Sequence, residues 1–359
     1  MKITRYNMGH IGGSIVKITS SDNRSILIDY GTNLDGSIFT DLPPLDDVKA
    51  ILISHFHLDH VGMLDSIKDI PIYVNKDAYY SYKMYSNKII VNNFYLIEEG
   101  KEYFIDRFKI ESIVCSHSAY KSQMYLINVD KLNILHTGDF RLHGIENNLD
   151  IFNRFTNKID LLITEGTNIT NNLEAKSENY LKQEFIELQD KYKYIYILTS
   201  STNYERIKII SESVKRGRYF IVDNHQKNII DSWNIFGNNK AIIYGENILE
   251  KAKKRGFVMI VKSNDYFKKI MDKFPKDNSV LVYSMWRGYI DNNDSLKEFL
   301  GNDYIHIHTS GHISQPDLER FINKIKPKNI MMIHSENNDL LHELNINSNI
   351  LDDKEAILE

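Results

Sequence analysis

Residues 54–60 read Ser-His-Phe-His-Leu-Asp-His, which places three histidines and one aspartate within six positions. The apolar run AILI precedes them and is typical of a buried strand that ends where the histidines begin. His55 and His57 are two residues apart on the loop that follows, so both side chains can face one centre. Asp59 and His60 come one turn later, at the start of an expected helix, and can face a second centre beside it. Imidazole and carboxylate groups suit zinc, or alternatively manganese, and the stretch therefore predicts a metal site.

The composition is that of an ordinary soluble globular protein. The chain has 359 residues, with 42% hydrophobic and 26% charged side chains, and this length suggests about two domains. Its single cysteine, Cys115, excludes an internal disulfide and fits a reducing compartment. We find neither a signal-peptide pattern nor an apolar run near the ~18 residues that a membrane span requires. We therefore expect a cytoplasmic protein without membrane association.

Charge is distributed unevenly along the chain. The formal net charge of −4 does not by itself indicate a nucleic-acid-binding protein. Residues 166–305, however, hold 22 basic and 18 acidic side chains, whereas the rest of the chain holds 22 basic and 30 acidic ones. Basic clusters at 215–218 and 251–255 fit either a nucleic-acid-binding surface or ordinary solvated helix faces, and both interpretations stay open.

The hydrophobic pattern changes along the chain. Short runs with a period of two, such as SIVKI and SILIDY, predict a β-rich first part. After Glu165, strand-like runs alternate with helical stretches near 173–190 and 203–216, which favours a parallel sheet with helical crossovers. Another strand-like run near 304 and a helix at about 315–325 precede the run NIMMIH. We therefore expect an α/β domain inserted into a β-rich host.

The stretch HFHLDH resembles the His-x-His-x-Asp-His signature of the metallo-β-lactamase superfamily, and further motifs follow in the expected order. The superfamily's strand-end aspartate corresponds to Asp29 in SILIDYG; the resemblance implies that Asp29 orients a ligand histidine rather than binding metal. The resemblance also implies a four-layer αβ/βα fold with two divalent metal ions. The expected ligands are His55, His57 and His117 for one metal, Asp59, His60 and the C-terminal His334 for the other, and Asp139 as the bridge.

Three features in the second half resemble motifs A, B and C of the β-CASP group, the nucleic-acid-processing branch of this superfamily. They are Glu165 in LLITEGT, His312 in HTSGHIS and His334 in NIMMIHSEN. The group includes ribonuclease J, the pre-mRNA 3′-end cleavage factor and archaeal relatives. The resemblance covers nearly the whole chain and implies an inserted α/β β-CASP domain with a parallel sheet. The expected boundaries are 1–168 for the N-terminal metallo-β-lactamase part, 169–304 for the β-CASP domain and 305–359 for the C-terminal metallo-β-lactamase part.

The resemblance implies a metal-dependent hydrolase that acts on phosphodiester bonds. Two metals about 3.5–4 Å apart lower the pKa of a bridging water to near 7, so that hydroxide attacks the phosphorus. A protonated His312, supported by Glu165, is expected to bind a phosphate oxygen or to protonate the leaving oxygen. The expected catalytic residues are thus Asp59, Glu165 and His312.

Further phosphate contacts are expected from two loops. Backbone N–H groups around Ser310 and Gly311 can bind phosphate together with His312, because glycine permits a close approach. The stretch TSSTNYERI resembles a segment of ribonuclease J-like proteins that contacts phosphate, here through Ser201 and Asn203. These two residues fit equally well as caps of the helix that follows.

The identity of motif C bears on the substrate. A histidine there goes with RNA-cleaving members of the group, whereas DNA-processing members tend to carry valine, so His334 favours single-stranded RNA and leaves DNA as the alternative. Endonuclease and 5′-exonuclease modes use the same residues, and both stay open, as does the oligomeric state. In YSMWRGY, Trp286 and Tyr289 fit either base stacking or packing between domains.

Three other classes of protein fit this sequence less well. Lactamases, thioesterases and lactonases of the same superfamily typically lack both the large insertion and the Ser-Gly-His motif. A flavodiiron-type oxidoreductase usually carries glutamate at the position of His57 and needs a flavin domain. A non-catalytic nucleic-acid-binding relative would have lost ligands, whereas every expected ligand position is filled here.

Overall fold

The structure is a computed structural model that describes residues 1–86, 93–145, 149–233 and 241–358. Among these residues, no helix is both long enough and apolar enough to cross a lipid bilayer. The chain divides into two compact units. Unit 1 comprises Met1–Leu142, Glu146–Glu174 and Gly311–Glu359, and unit 2 comprises His143–Ile145 and Ala175–Ser310.

The described residues form twenty strands and ten α-helices. The strands are β1 (Lys2–Tyr6), β2 (Ile15–Thr19), β3 (Ser25–Ile28), β4 (Val48–Leu52), β5 (Ile72–Asn75), β6 (Phe94–Ile97), β7 (Glu102–Ile105), β8 (Phe108–Cys115), β9 (Ser122–Val129), β10 (Leu132–His136), β11 (Leu161–Glu165), β12 (Tyr194–Leu198), β13 (Tyr219–Val222), β14 (Ile242–Ile243), β15 (Phe257–Val261), β16 (Ser279–Tyr283), β17 (Tyr304–His306), β18 (Asn329–Ile333), β19 (Asn349–Ile350) and β20 (Glu355–Ile357). The helices are α1 (Leu58–Val61), α2 (Lys76–Tyr85), α3 (Glu178–Lys191), α4 (Tyr204–Ser213), α5 (Asn224–Ser232), α6 (Glu246–Arg255), α7 (Asp265–Met271), α8 (Gly288–Asp291), α9 (Asp294–Leu300) and α10 (Gln315–Ile325).

Unit 1 is built on two seven-stranded sheets. Their strand orders are β20-β1-β2-β3-β4-β5-β6 and β19-β18-β11-β10-β9-β8-β7. One apolar cluster joins the two sheets, with Ile18 and Ile28 from the first and Ile127, Ile134 and Ile163 from the second, all fully buried. The two sheets therefore pack face to face around this core.

Helices cover the outer faces of both sheets in unit 1. On the first sheet, Ile51 packs in one cluster with Val61 of α1 and Ala78 of α2. On the second sheet, Leu162 packs in another cluster with Phe321 of α10. The order of layers is helix, sheet, sheet, helix, and the predicted four-layer αβ/βα fold is confirmed.

Unit 2 is a parallel α/β domain, also as predicted. Its six strands follow the order β14-β13-β15-β12-β16-β17, and every pair is parallel. On one face, Tyr196 and Met259 of the sheet pack with Ala252 of α6, Phe267 of α7 and Leu296 of α9. The helix α3 contacts both α4 and β12. Parallel strands need such helical crossovers, which explains the alternation seen in the sequence.

Several boundaries differ from the sequence-based expectation. The helix expected at 173–190 begins only at Glu178, because Ser177 caps it by accepting a hydrogen bond from the N–H of Tyr180. The strand near 304, assigned to the C-terminal part, is β17, which pairs with β16 in the sheet of unit 2. The chain accordingly returns to unit 1 at Gly311.

Candidate metal centre

Three histidine side chains converge where two strands of unit 1 end. The strand β4 ends at Leu52 and is followed by His55 and His57, whereas β8 ends at Cys115, two residues before His117. The Nε2 atom of His55 lies 3.0 Å from Nδ1 of His57, and Nε2 of His117 lies 3.3 Å from the same Nδ1 atom. The three nitrogen atoms thus face one common point.

A second cluster of four side chains lies beside the first. Asp59 and His60 belong to α1, Asp139 follows β10, and His334 follows β18. The distance from Nε2 of His334 to Oδ2 of Asp59 is 3.0 Å, and Nε2 of His60 is 3.2 Å from Oδ2 of Asp139. The same Oδ2 atom of Asp139 lies 3.9 Å from Nε2 of His55, so this carboxylate reaches both clusters.

A buried hydrogen-bond network orients two of these histidines. Asp29 accepts hydrogen bonds from the backbone N–H and the hydroxyl of Ser54, each at 2.7 Å. Its Oδ2 atom is also 2.7 Å from Nδ1 of His60. Since the Ser54 hydroxyl donates to Asp29, its oxygen can accept from Nδ1 of His55, which is 3.1 Å away. Both histidines therefore keep their Nε2 atoms directed at the clusters, an arrangement typical of metal ligands.

The Ser-Gly-His segment holds His117 in the same way. Nδ1 of His117 donates to the carbonyl oxygen of Gly311 at 2.7 Å, which leaves Nε2 as the acceptor atom of the neutral ring. A Cβ atom on Gly311 would lie 2.7 Å from Oγ and 2.8 Å from Cβ of Ser118. Only glycine therefore allows this close approach of the two loops.

Most members of the two clusters are held in the protonation state that suits metal binding. The exception is His60: burial opposes its protonation, but Asp139, Asp29 and Asp59 outweigh burial and raise its pKa well above the ordinary value. Burial lowers the pKa of His55 and of His117 well below the ordinary value, and it lowers that of His57 to about 4. Burial opposes ionisation of Asp59 and Asp139, but the neighbouring imidazoles outweigh it and hold both carboxyl pKa values below the usual range. Neutral imidazoles and ionised carboxylates are the forms that bind divalent cations.

The donor atoms fit a divalent metal ion in number and position. In each cluster, one ligand atom per residue lies within 4.8 Å of all the others. In addition, Oδ1 of Asp139 is buried without a hydrogen-bond partner among the described residues. A buried carboxylate oxygen of this kind is costly unless a cation compensates it.

Glu165 and His312 form an ion pair next to the second cluster. Nδ1 of His312 is 2.9 Å from Oε2 of Glu165 and 3.7 Å from Oδ2 of Asp139. Glu165 is fully buried, and its other oxygen accepts from the backbone N–H of Phe140 at 2.8 Å. Burial opposes protonation of His312, but Glu165 and Asp139 outweigh it and raise the pKa of this imidazole to about 9. The side chain of His312 is 23% exposed, so its protonated ring can contact a substrate.

The other predicted phosphate contacts lie in unit 2. Ser201 and Asn203 belong to the loop between β12 and α4, where the Asn203 side chain caps α4 by accepting from the N–H of Arg206. The carbonyl oxygen of Ser201 accepts from the Gln226 side chain at 3.1 Å. Ser310 is the last residue of this unit. The capping interpretation of Asn203 therefore matches the structure.

Two residues of the centre escaped the sequence interpretation. Ser54 directly precedes the first histidine, and its hydroxyl links Asp29 to His55. Thr167 follows Glu165 by two positions, and its Oγ1 atom is 2.8 Å from Nδ1 of His334. Both residues lie within motifs that the sequence analysis identifies. A hydroxyl side chain inside such a motif is the feature that could have predicted their role.

Comparisons with known families match both ends of the chain. A beta-lactamase superfamily domain matches residues 8–174. A "Zn-dependent metallo-hydrolase RNA specificity domain" matches residues 304–343. A crystal structure of a protein of unknown function from Enterococcus faecalis V583 has a TM-score of 0.79, with 19% identity and 99% of both chains covered. This last likeness bears on the fold alone.

Curated relatives point to one branch of the superfamily. Ribonuclease J of Sinorhizobium meliloti is 21% identical over 87% of this chain and 64% of its own length. Ribonuclease J of Helicobacter pylori is 23% identical over 92% of this chain and 55% of its own length. An RNase J-like protein of Methanocaldococcus jannaschii is 29% identical over 44% of this chain and 40% of its own length. The chain thus spans less than two thirds of each of these relatives. With both domain matches in their expected places, the chain belongs to the metallo-β-lactamase superfamily and to its β-CASP, ribonuclease J-like family.

Proposed function

We propose that the protein is a metal-dependent phosphodiesterase that hydrolyses single-stranded RNA. The matched domain that is named for RNA specificity covers both His312 and His334, and relatives that cover most of this chain are named ribonuclease J. We further propose that the protein binds two divalent metal ions, zinc or alternatively manganese, through seven side chains. They are His55, His57 and His117 for one ion and Asp59, His60 and His334 for the other, with Asp139 shared.

The observation that carries the proposal is the pair of Glu165 and His312. A hydrolase of uncharged amides or thioesters has no need for a second cation beside its metal ligands. The oxygens of a phosphodiester, by contrast, carry negative charge before and during hydrolysis, and a fixed imidazolium stabilises it. The 2.9 Å contact with Glu165 engages Nδ1 of His312, and the proposal assigns donation to the substrate to Nε2.

Each residue has a defined task in this proposal. The divalent ions, when bound, would supply activation of water and neutralisation of phosphate charge. His312 donates from Nε2 to a non-bridging phosphate oxygen or delivers a proton to the leaving oxygen. Glu165 keeps His312 protonated and oriented through Nδ1, while its own orientation is fixed by the N–H of Phe140.

The proposal also includes the phosphate contacts expected from Ser310, Gly311, Ser201 and Asn203. The observations that bear on them differ from residue to residue. Gly311 precedes His312, and its carbonyl oxygen accepts from the proposed ligand His117, which supports a role for this backbone near the substrate phosphate. Asn203 caps α4 through its side-chain oxygen, so a phosphate contact from this residue would use the amide nitrogen.

The test uses purified protein with its bound metal quantified and single-stranded RNA labelled at either end, beside DNA of the same sequence. We expect RNA cleavage by the wild type, and loss of cleavage in His55→Ala together with loss of metal. The His312→Ala variant should keep its metal and lose turnover, while mononucleotides or internal fragments report the exonuclease or endonuclease mode. Wild-type protein that holds two metals and cleaves neither polymer contradicts the proposal, and so does preferential cleavage of DNA.

A further inference from the structure

Trp286 and Tyr289 are exposed aromatic side chains just beyond the carboxyl end of β16 in unit 2. Their exposed fractions are 60% for Trp286 and 57% for Tyr289. Tryptophan is highly buried on average because its ring carries a large apolar surface. The second tryptophan of the chain, Trp233, follows this rule with 2% exposure. The exposure of Trp286 therefore leaves a flat aromatic face available to a ligand.

The two rings are held in a fixed arrangement. The centroids of Trp286 and Tyr289 are 5.4 Å apart with an interplanar angle of 87°. A Cβ atom on Gly288 would lie 2.2–2.4 Å from three carbons of the indole, so the indole rests on the Cα of this glycine. The backbone is also held, because the Tyr283 hydroxyl donates to the carbonyl of Trp286 at 2.8 Å. In addition, Nε2 of His306 is 3.0 Å from the carbonyl oxygen of Met285, the residue before Trp286.

Unit 2, which carries this pair, has an excess of positive charge, although Asp291 and Asp294 follow the pair in sequence. Arg287 stands between the two aromatic residues in sequence. Residues 175–310 contain 22 lysines and arginines against 17 aspartates and glutamates, whereas the whole chain is net negative. A polyanion with flat, stackable groups complements such a surface better than an acidic or neutral peptide does.

From these observations we propose that Trp286 and Tyr289 form a stacking platform for the bases of single-stranded nucleic acid, with Arg287 near the backbone phosphates. The proposal rests on the function proposed above and adds a binding element outside the metal centre. One open face of the indole accepts a base, because a base–aromatic stack forms with any base. The edge-to-face position of Tyr289 keeps the indole from rotating away when no ligand is bound.

Tryptophan fluorescence tests the platform directly, since Trp233 is buried and Trp286 is exposed. The titration uses the metal-loaded His312→Ala protein, in which RNA is expected to survive, with a ten-nucleotide oligoadenylate. An oligonucleotide of equal length with abasic sites carries the same phosphates without bases. We expect oligoadenylate to quench the emission and the abasic oligonucleotide to leave it unchanged.

Substitutions identify the side chains responsible. Trp286→Ala should weaken oligoadenylate binding about tenfold, measured by anisotropy of a labelled oligonucleotide, and Tyr289→Ala should weaken it less. Trp286→Phe should retain most of the affinity while abolishing the quenching. The matched control is Tyr266→Ala, which removes another ring of unit 2 that is 53% exposed and packs edge-to-face on Phe267. This control should bind as the parent protein does.

Three results overturn the proposal: equal quenching by the abasic oligonucleotide, unchanged affinity of Trp286→Ala, or a change from dimer to monomer in Trp286→Ala. The last result would assign this surface to self-association. The outcome is separable from that of the proposed function. If oligoadenylate binds the wild-type protein and quenches its emission but RNA stays intact, the proposed activity is wrong and the proposed platform is supported. If RNA is cleaved but oligoadenylate does not quench the emission, the proposed platform is wrong and the proposed activity is supported.

Discussion

Thr167 and His334 are joined by two contacts through a single hydroxyl group. The Oγ1 atom of Thr167 is 2.8 Å from Nδ1 of His334, and it donates to the carbonyl oxygen of the same residue at 3.3 Å. His334 has a positive φ of 51°, a conformation that non-glycine residues rarely adopt. The hydroxyl thus secures both the unusual backbone and the ring orientation that directs Nε2 toward Asp59.

We predict that Thr167→Val lowers metal affinity by about 10- to 100-fold, because valine keeps the shape of threonine but cannot accept from Nδ1. Competition with a chelator of known affinity measures the change. Thr167→Ser keeps the hydroxyl and should restore most of the affinity. Equal metal affinity in the wild type and Thr167→Val would show that the hydroxyl does not orient His334.

His312→Ala should reduce the rate of RNA hydrolysis by about 10²- to 10⁴-fold, the range for a lost general acid. Metal content should stay at the wild-type level, because His312 is not among the proposed ligands. Glu165→Gln should give a smaller loss, since the ring remains but loses the carboxylate that favours its protonated form. Rates from single-turnover reactions, with metal content measured on the same samples, distinguish these outcomes. Loss of metal in His312→Ala would place this residue among the ligands instead.

The buried pair of Arg206 and Glu178 should dominate the stability of unit 2. Both side chains are fully buried, and Nε and Nη2 of Arg206 each donate to Glu178 at 2.8 Å. Arg206 also donates to the Ser284 hydroxyl and to the carbonyl of Thr309. Arg206→Met removes the bidentate partner of a buried carboxylate and should cost about 3–5 kcal/mol of unfolding free energy.

Denaturant unfolding followed by circular dichroism measures this cost. The double variant Arg206→Met with Glu178→Gln also removes the buried negative charge and should recover a substantial part of the loss. A single variant that unfolds at the same denaturant concentration as the wild type would contradict the assigned role.

His308 should make unit 2 less stable in mild acid. Burial, with Arg206 and His306 nearby, lowers its pKa to about 3, whereas Glu178 and a hydrogen bond at Ser284 act in the opposite direction. The unfolded chain, with a histidine pKa of about 6.5, therefore binds one more proton between pH 6.5 and 3. Stability should fall as pH decreases through this window, by at most about 1.4 kcal/mol per pH unit from this residue.

Replacement by asparagine removes the titrating group. The difference in unfolding free energy between pH 6.5 and pH 5 should be smaller in His308→Asn than in the wild type. An identical pH dependence in the two proteins would mean that His308 binds its proton equally well in the folded and the unfolded state.

The clustering of the proposed ligand side chains could be predicted from the sequence because chemistry and spacing coincide in them. His55, His57, Asp59 and His60 follow an apolar strand within a few positions, so local structure alone brings them together. The strand and helix alternation likewise predicts a parallel sheet, and the helix expected at about 315–325 is α10 with these bounds.

Other contacts depend on tertiary structure and have no local signal. Arg206 and Glu178 are 28 residues apart, and neither is distinguishable in sequence from a surface charge. The run near 304 is apolar and strand-like in either unit; only its pairing with β16 decides where it belongs. His143–Ile145 falls in unit 2 although its neighbours in sequence fall in unit 1, which no periodicity could indicate.

The most direct test of the central claim is the rate of RNA cleavage as a function of bound metal per chain. Metal-free protein is titrated with zinc, and with manganese in parallel, while bound metal and cleavage of end-labelled single-stranded RNA are measured on each sample. The proposal predicts no cleavage without metal and full activity at two equivalents, with His55→Ala inactive throughout. Cleavage that persists without bound metal, or its absence at two equivalents, would contradict it.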